Sequence, residues 1–167
     1  NRGDGTFEDV TATSGIFDSS SKSLGVAMFD YDGDGWPDLF VANDTNANYL
    51  FRNRGDGRFD EVALASGTAL NEDGRAQAGM GVDAADVDGD GWQDLFVANV
   101  DREMFSLYRN TGFGTFVDLA VGSELGMATY YLSGWGLKFF DFDIDGALDL
   151  LMANGHPDDR IETRVRS

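Results

Sequence analysis

The sequence predicts an all-β fold of three four-stranded antiparallel repeats, and three observations carry that prediction. The first is an acidic pattern that recurs three times. It reads Asp30-Tyr-Asp32-Gly-Asp34-Gly-Trp36-Pro-Asp38, then Asp86-Val-Asp88-Gly-Asp90-Gly-Trp92-Gln-Asp94, then Asp141-Phe-Asp143-Ile-Asp145-Gly-Ala147-Leu-Asp149. The second is a turn of the form Asn-x-Gly-x-Gly-x-Phe, which starts at Asn1, Asn53 and Asn110. The third is a set of short apolar runs, bounded by Gly, Asn and Asp, on either side of each acidic loop. Runs of that length and composition favour strands over helices. The acidic loops start 56 and then 55 residues apart, a period in the range of propeller blades and solenoid units.

Within one repeat the elements follow in order. Residues 24–29 form strand one, which ends in the acidic loop. Residues 39–43 form strand two. Residues 49–52 form strand three, which ends in the Asn-Gly turn, and residues 59–63 form strand four. Strands one and two are apolar on both faces, whereas an isolated antiparallel sheet leaves one face to solvent. Four-stranded sheets stacked face to face around an axis resolve this, so the repeats read as β-propeller blades. The array covers residues 1–167 as one domain, with repeats at about 1–52, 53–109 and 110–167. The chain opens in the turn before a strand four and closes soon after a strand two. Whole blades are expected at about 24–63 and 82–120. A closed ring usually needs ~4–8 blades, so the expectation is a partial propeller within a longer array, or a ring completed by other chains. A homo-oligomer is one such arrangement, with the amino-terminal outer strand of one chain finishing the last blade of another.

Composition narrows function. Acidic residues number 30 against 12 Lys and Arg, for a net charge of −18. Such a field repels nucleic acid and anionic membrane surfaces and attracts cations. No apolar run reaches membrane-spanning length, so no membrane insertion is expected. There is no cysteine and one His, so neither a disulfide framework nor a thiolate metal site is available.

Each acidic loop offers carboxylates at positions 1, 3, 5 and 9 and a backbone carbonyl at position 7. The predicted ligands are Asp30, Asp32, Asp34, Trp36 and Asp38 in the first loop. In the second they are Asp86, Asp88, Asp90, Trp92 and Asp94, and in the third Asp141, Asp143, Asp145, Ala147 and Asp149. With the position 9 carboxylate binding through both oxygens, the set amounts to six hard oxygens, and it suits Ca²⁺. About three ions per chain are expected. Mg²⁺ keeps its waters and demands octahedral geometry, and zinc prefers His or Cys. The glycine at position 6 lets the chain turn sharply with positive φ. An EF-hand is excluded, because position 12 is Val41, Val97 and Met152 where that loop needs Glu, and the flanks are strands.

The pattern DxDxDGxxDLxVAN, followed by NxGxGxF, resembles the FG-GAP or VCBS repeat of integrin-α-like β-propellers. It is most similar to the branch of bacterial ASPIC/UnbV proteins and cartilage acidic protein. The resemblance runs from Asn1 to about Pro157. It implies a propeller of about seven blades, calcium in the hairpins between strands one and two, an extracellular, cell-surface or periplasmic setting, and roles in adhesion, ligand binding or scaffolding toward a protein or glycan.

Other features read more plainly. Arg2-Gly3-Asp4 and Arg54-Gly55-Asp56 are RGD tripeptides, but Thr111-Gly112-Phe113 fills the same slot, so they read as turns. His156 reads as a loop residue. Tyr130, Tyr131 and Trp135 read as core or rim packing, with stacking on a sugar as the competing reading. Trp36 and Trp92 are expected to cover the acidic loop or the next blade. Arg160, Arg164 and Arg166 read as a frayed terminus. No catalytic constellation is visible, so the expected function is a non-enzymatic calcium-binding module. The competing reading is a part of a carbohydrate-active enzyme of the polysaccharide lyase type.

Overall fold

The computed structural model describes residues 1–156, so the basic residues at 160, 164 and 166 lie outside the described residues. The first sheet holds β1 (Ser23–Phe29), β2 (Asp38–Asn43), β3 (Tyr49–Asn53) and β4 (Phe59–Glu61), paired antiparallel in that order. The second repeats this with β5 (Val82–Ala85), β6 (Asp94–Val97), β7 (Ser106–Asn110) and β8 (Phe116–Asp118). The third repeat contributes the hairpin β9 (Gly134–Phe140) and β10 (Asp149–Asn154). The predicted strands of the first repeat agree with these to within two residues, and the sheets are an open array rather than a closed ring.

The expectation of packing on both faces holds for the middle blade. Every residue of β6 is buried. Successive side chains of a strand point to opposite faces, and β6 serves two cores in that way. Leu95 and Val97 join a cluster with Phe29, Phe40 and Leu50 of the first blade. Phe96 joins Phe105 and, from the third repeat, Phe139, Leu150 and Met152. The rings of Phe40 and Tyr108 lie 6.5 Å apart, and those of Phe96 and Phe139 lie 6.2 Å apart. The outer blades each have one neighbour. Val26 and Met28 of β1 are therefore 65% and 71% exposed, and Leu151 of β10 is 59% exposed.

Innermost strands of successive blades approach closely, and glycine permits it. A Cβ on Gly25 would strike the Met80 carbonyl oxygen, and one on Gly81 would strike that of Trp135. Asp83 ties β5 to β9. Its carboxylate accepts the Phe139 N–H at 2.8 Å and meets Lys138 Nζ at 2.8 Å.

Two features depart from the sequence reading. Short helical turns α1 (Thr11–Ser14), α2 (Ala63–Ser66) and α3 (Glu124–Thr129) follow the outer strands or their counterpart. Turns this short carry no periodic signal, although Gly15 and Gly67, with φ of 86° and 84°, are left-handed stops of a familiar kind. The strand four expected after the first Asn-Gly turn is also absent. The turn itself forms, with Arg2 N–H donating to the Thr6 carbonyl at 2.9 Å, as Arg54 does to Arg58. Residues 7–10 then run on without pairing. β4 is held by β3 through Asn53↔Phe59 and Phe51↔Glu61, and the amino-terminal segment has no such partner among the described residues.

The close approach predicts that Gly81→Ala, which overpacks the junction by one methyl, destabilises the fold by roughly 1–3 kcal/mol. Urea unfolding should show a lower midpoint with an unchanged slope. An unchanged midpoint would mean that the inner strands separate freely.

Candidate metal centres

Each acidic loop is wrapped around its position 1 aspartate. Asp30 Oδ1 accepts the N–H groups of Gly33 at 2.9 Å and Asp34 at 3.2 Å, and Oδ2 accepts that of Gly35 at 2.8 Å. Asp86 takes the same three positions in its own loop, and Asp141 takes those of Asp145 and Gly146. The position 6 glycines have φ of 86°, 91° and 93°, as the sequence predicts. Position 4 is also left-handed, with φ of 73° and 75° at Gly33 and Gly89 and 63° at Ile144. The third loop therefore adopts this conformation with a β-branched residue, at a cost of ~1–2 kcal/mol.

The position 9 aspartates close the loops from beneath. Asp38 is fully buried. Its Oδ2 accepts the Tyr31 N–H at 3.0 Å, and its Oδ1 accepts the Asn53 N–H at 2.7 Å. Asp94 does the same with Val87 and Asn110. Burial pushes the Asp38 carboxyl up to about 6 and raises that of Asp94 as well. Each oxygen keeps a second lone pair, so accepting an N–H leaves the carboxylate able to meet a cation.

Carboxylate oxygens of Asp30, Asp32 and Asp38 converge within 4.8 Å of one another, and so do those of Asp86, Asp88 and Asp90 and those of Asp141, Asp143 and Asp149. Three aspartate triads could thus hold metal ions. The remaining predicted carboxylates, Asp34, Asp94 and Asp145, stand beside these triads. Asp34 and Asp145 turn one oxygen back onto the position 7 N–H of Trp36 at 2.9 Å and Ala147 at 2.8 Å. Within the first triad, Asp32 Oδ1 is buried and accepts no hydrogen bond. An orphaned charged oxygen is costly, so the donor set fits a cation.

Sequence reasoning missed two arginines. Arg52, from β3, places Nε 2.6 Å from Asp32 Oδ2 and Nη2 3.4 Å from Asp34 Oδ2. Arg109, from β7, meets Asp88 and lies 3.8 Å from Asp90. The available signal was an Arg directly before the turn Asn in both complete blades.

The tryptophans hold the loops to the Asn-Gly turns. Trp36 fills the space a Cβ would need on Gly55, and Trp92 does so for Gly112. Trp92 also lies against Gly33 of the preceding blade, so it covers the previous acidic loop rather than the next blade. Asn110 Nδ2 reinforces that junction by donating to the Tyr31 carbonyl at 2.9 Å. The RGD tripeptides are turns, and the glycine of the second is required by Trp36. His156 lies in a loop, as the sequence predicts. Its Nε2 lies 3.1 Å from Asp101 Oδ1, which joins the last two repeats. Tyr130 and Tyr131 pack edge to face at 4.9 Å, and Trp135 donates its indole N–H to the Gly155 carbonyl.

A family profile described as FG-GAP-like repeat matches residues 1–41, 30–97 and 86–152. Among known proteins, cartilage acidic protein 1 of Homo sapiens is 30% identical over 165 residues, which is 93% of this chain and 24% of that protein. The Xenopus tropicalis and Mus musculus proteins of the same name are 29% and 28% identical over 164 and 165 residues. The chain spans about a quarter of the length of these relatives, 24% in each case. No helix among the described residues is long and apolar enough to cross a membrane.

The position 9 geometry predicts a stabilising role independent of metal. Asp38→Ala strips two buried N–H groups of their acceptor and should cost at least ~2 kcal/mol even in excess chelator. Denaturant melts in chelator check this, and a loss seen only with metal present would refute it.

Proposed function

This chain belongs to the FG-GAP-like repeat family, and we propose that it is a calcium-stabilised interaction module working as part of a larger extracytoplasmic array. The observation that carries the metal reading is the orphaned Asp32 Oδ1 inside a cluster of three carboxylates. Hard oxygens at this density favour Ca²⁺. In the first loop the ligands are Asp30, Asp32, Asp34 and Asp38 with the Trp36 carbonyl. The second loop uses Asp86, Asp88, Asp90, Asp94 and the Trp92 carbonyl, and the third uses Asp141, Asp143, Asp145, Asp149 and the Ala147 carbonyl. When bound, the ion supplies charge neutralisation and no reaction chemistry. The loop aspartates are already engaged in holding backbone N–H groups, which supports a structural rather than a catalytic role for the ion. A site with Kd ~10⁻⁵ M in ~1 mM calcium stabilises the fold by ~2.7 kcal/mol. Millimolar calcium is an extracellular condition, which favours an extracellular, cell-surface or periplasmic setting.

The exposed faces of the outer blades fit the same reading. Val26 and Met28 at one end and Leu151 at the other are placed to receive further blades. Those blades come from the rest of a longer chain or from another copy, and the completed array presents loops to a protein or glycan ligand.

A thermal melt should rise by more than about ten degrees between chelator and millimolar calcium. No rise would remove the metal reading. Arg52 competes with the ion for Asp32 and Asp34, so Arg52→Met should bind calcium severalfold more tightly at the first site by titration calorimetry. Weaker binding would mean that the guanidinium orients the ligands instead.

A further inference from the structure

We propose that a cavity at the end of the blades opposite the acidic loops binds a neutral saccharide. The acidic loops and the Asn-Gly turns join β1 to β2 and β3 to β4, so they share one end of each sheet. The cavity lies at the other end, between the segment before β5 and the loop joining β6 to β7. Its volume is about 350 Å³, within the range of small-molecule sites.

A departure from the repeat builds it. Twenty-two residues separate Phe59 from Gly81, against 18 between Phe7 and Gly25 and 20 between Phe116 and Gly136. The added length folds on itself. Asn71 N–H donates to the Arg75 carbonyl at 2.9 Å, and Asn71 Oδ1 accepts the Arg75 N–H at 2.9 Å. The connector from Phe116 to Gly136, two residues shorter, also joins stacked blades and carries no such turn. Binding groups are commonly carried on such loops over a rigid scaffold.

The lining selects the ligand by exclusion. Arg75 and Arg102 face the same cavity as Glu103 and Asp118. With Glu72 and Asp73 the lining holds four acids against two arginines, so it turns away anions, and the arginines keep it from being a purely acidic cation site. A neutral polyhydroxylated ligand meets donors and acceptors together, with Tyr130 also in the lining. The acceptors are held in place: Glu103 Oε2 accepts the Ala78 N–H at 2.7 Å, and Asp118 Oδ1 accepts that of Ala120 at 2.9 Å. The Arg102 backbone is held too, with φ of 69° and its N–H on the Tyr130 carbonyl at 2.6 Å. Thr45 makes the equivalent clip to Gln77, with φ of 57°. The clip thus belongs to the repeat, while the Arg102 side chain is exposed at the rim of the cavity, beside Asp101. Uronate polymers are poor ligands here, because Glu72 and Asp73 add further negative charge at the rim.

This proposal supplies a ligand class for the interaction-module reading and rests on it. The calcium melt tests the metal part separately, so the two can fail independently. The test is nuclear magnetic resonance shift mapping of the whole chain in millimolar calcium chloride. Cellobiose, lactose and N,N′-diacetylchitobiose are titrated to about 10 mM, beyond weak millimolar affinity, beside glucuronate and arginine amide. At least one neutral disaccharide should shift Gln77, Glu103, Asp118 and Tyr130. Arg75→Ala, whose side chain the turn does not use, should weaken that binding roughly tenfold. Glu103→Gln keeps an acceptor for Ala78 and should weaken it as well. The proposal is overturned if all three disaccharides leave those residues unmoved, if only the charged probes move them, if the shifts map elsewhere, or if both variants bind unchanged.

Discussion

A strand that is apolar on both faces has no stable place at the surface of a single sheet, and the rest of this structure depends on that constraint. β6 shows the constraint satisfied. Leu95 and Val97 pack toward one neighbour, Phe96 packs toward the other, and no residue of the strand meets solvent. β1 and β10 show it satisfied on one side only. The blade is therefore a unit that completes its core by stacking. Gly25 and Gly81 set how closely the inner strands stack, and Asp83 adds a polar tie across one junction.

The acidic loops turn the same stacking into a place where negative charge gathers. Their carboxylates have two roles that spacing alone does not separate. Positions 1 and 9 organise the loop by accepting backbone N–H groups, and in the first loop the same two carboxylates also belong to the triad whose oxygens lie within 4.8 Å of one another. Arg52 and Arg109 reach the same carboxylates from the third strand of each blade and offset part of their repulsion. Trp92 couples one loop to the preceding one, so that the loops and blades form a continuous run along one end of the array.

The opposite end carries the departures from the repeat. Connectors there differ in length, and the longest lines the mixed-charge cavity. One end of each blade is thus held nearly constant by loop chemistry, while the connectors at the other end differ in length. That division is usual where a scaffold bears its binding groups on loops.

What the sequence determined by itself was everything with a local or periodic cause. Short apolar runs bounded by Gly, Asn and Asp marked the strands, glycines at turn positions marked the loops, and the triple recurrence of Asp-x-Asp-x-Asp-Gly marked the carboxylate clusters and the family resemblance. Tertiary structure alone decided what depends on a partner distant in the chain. Residues 7–10 repeat the pattern of β4 yet form no strand, because pairing needs a third strand beside them. The arginines of β3 and β7 and the pairing of His156 with Asp101 are contacts between segments, and spacing does not encode them. The division of labour among the aspartates was equally hidden, because identical side chains differ only in which N–H groups the folded backbone brings to them.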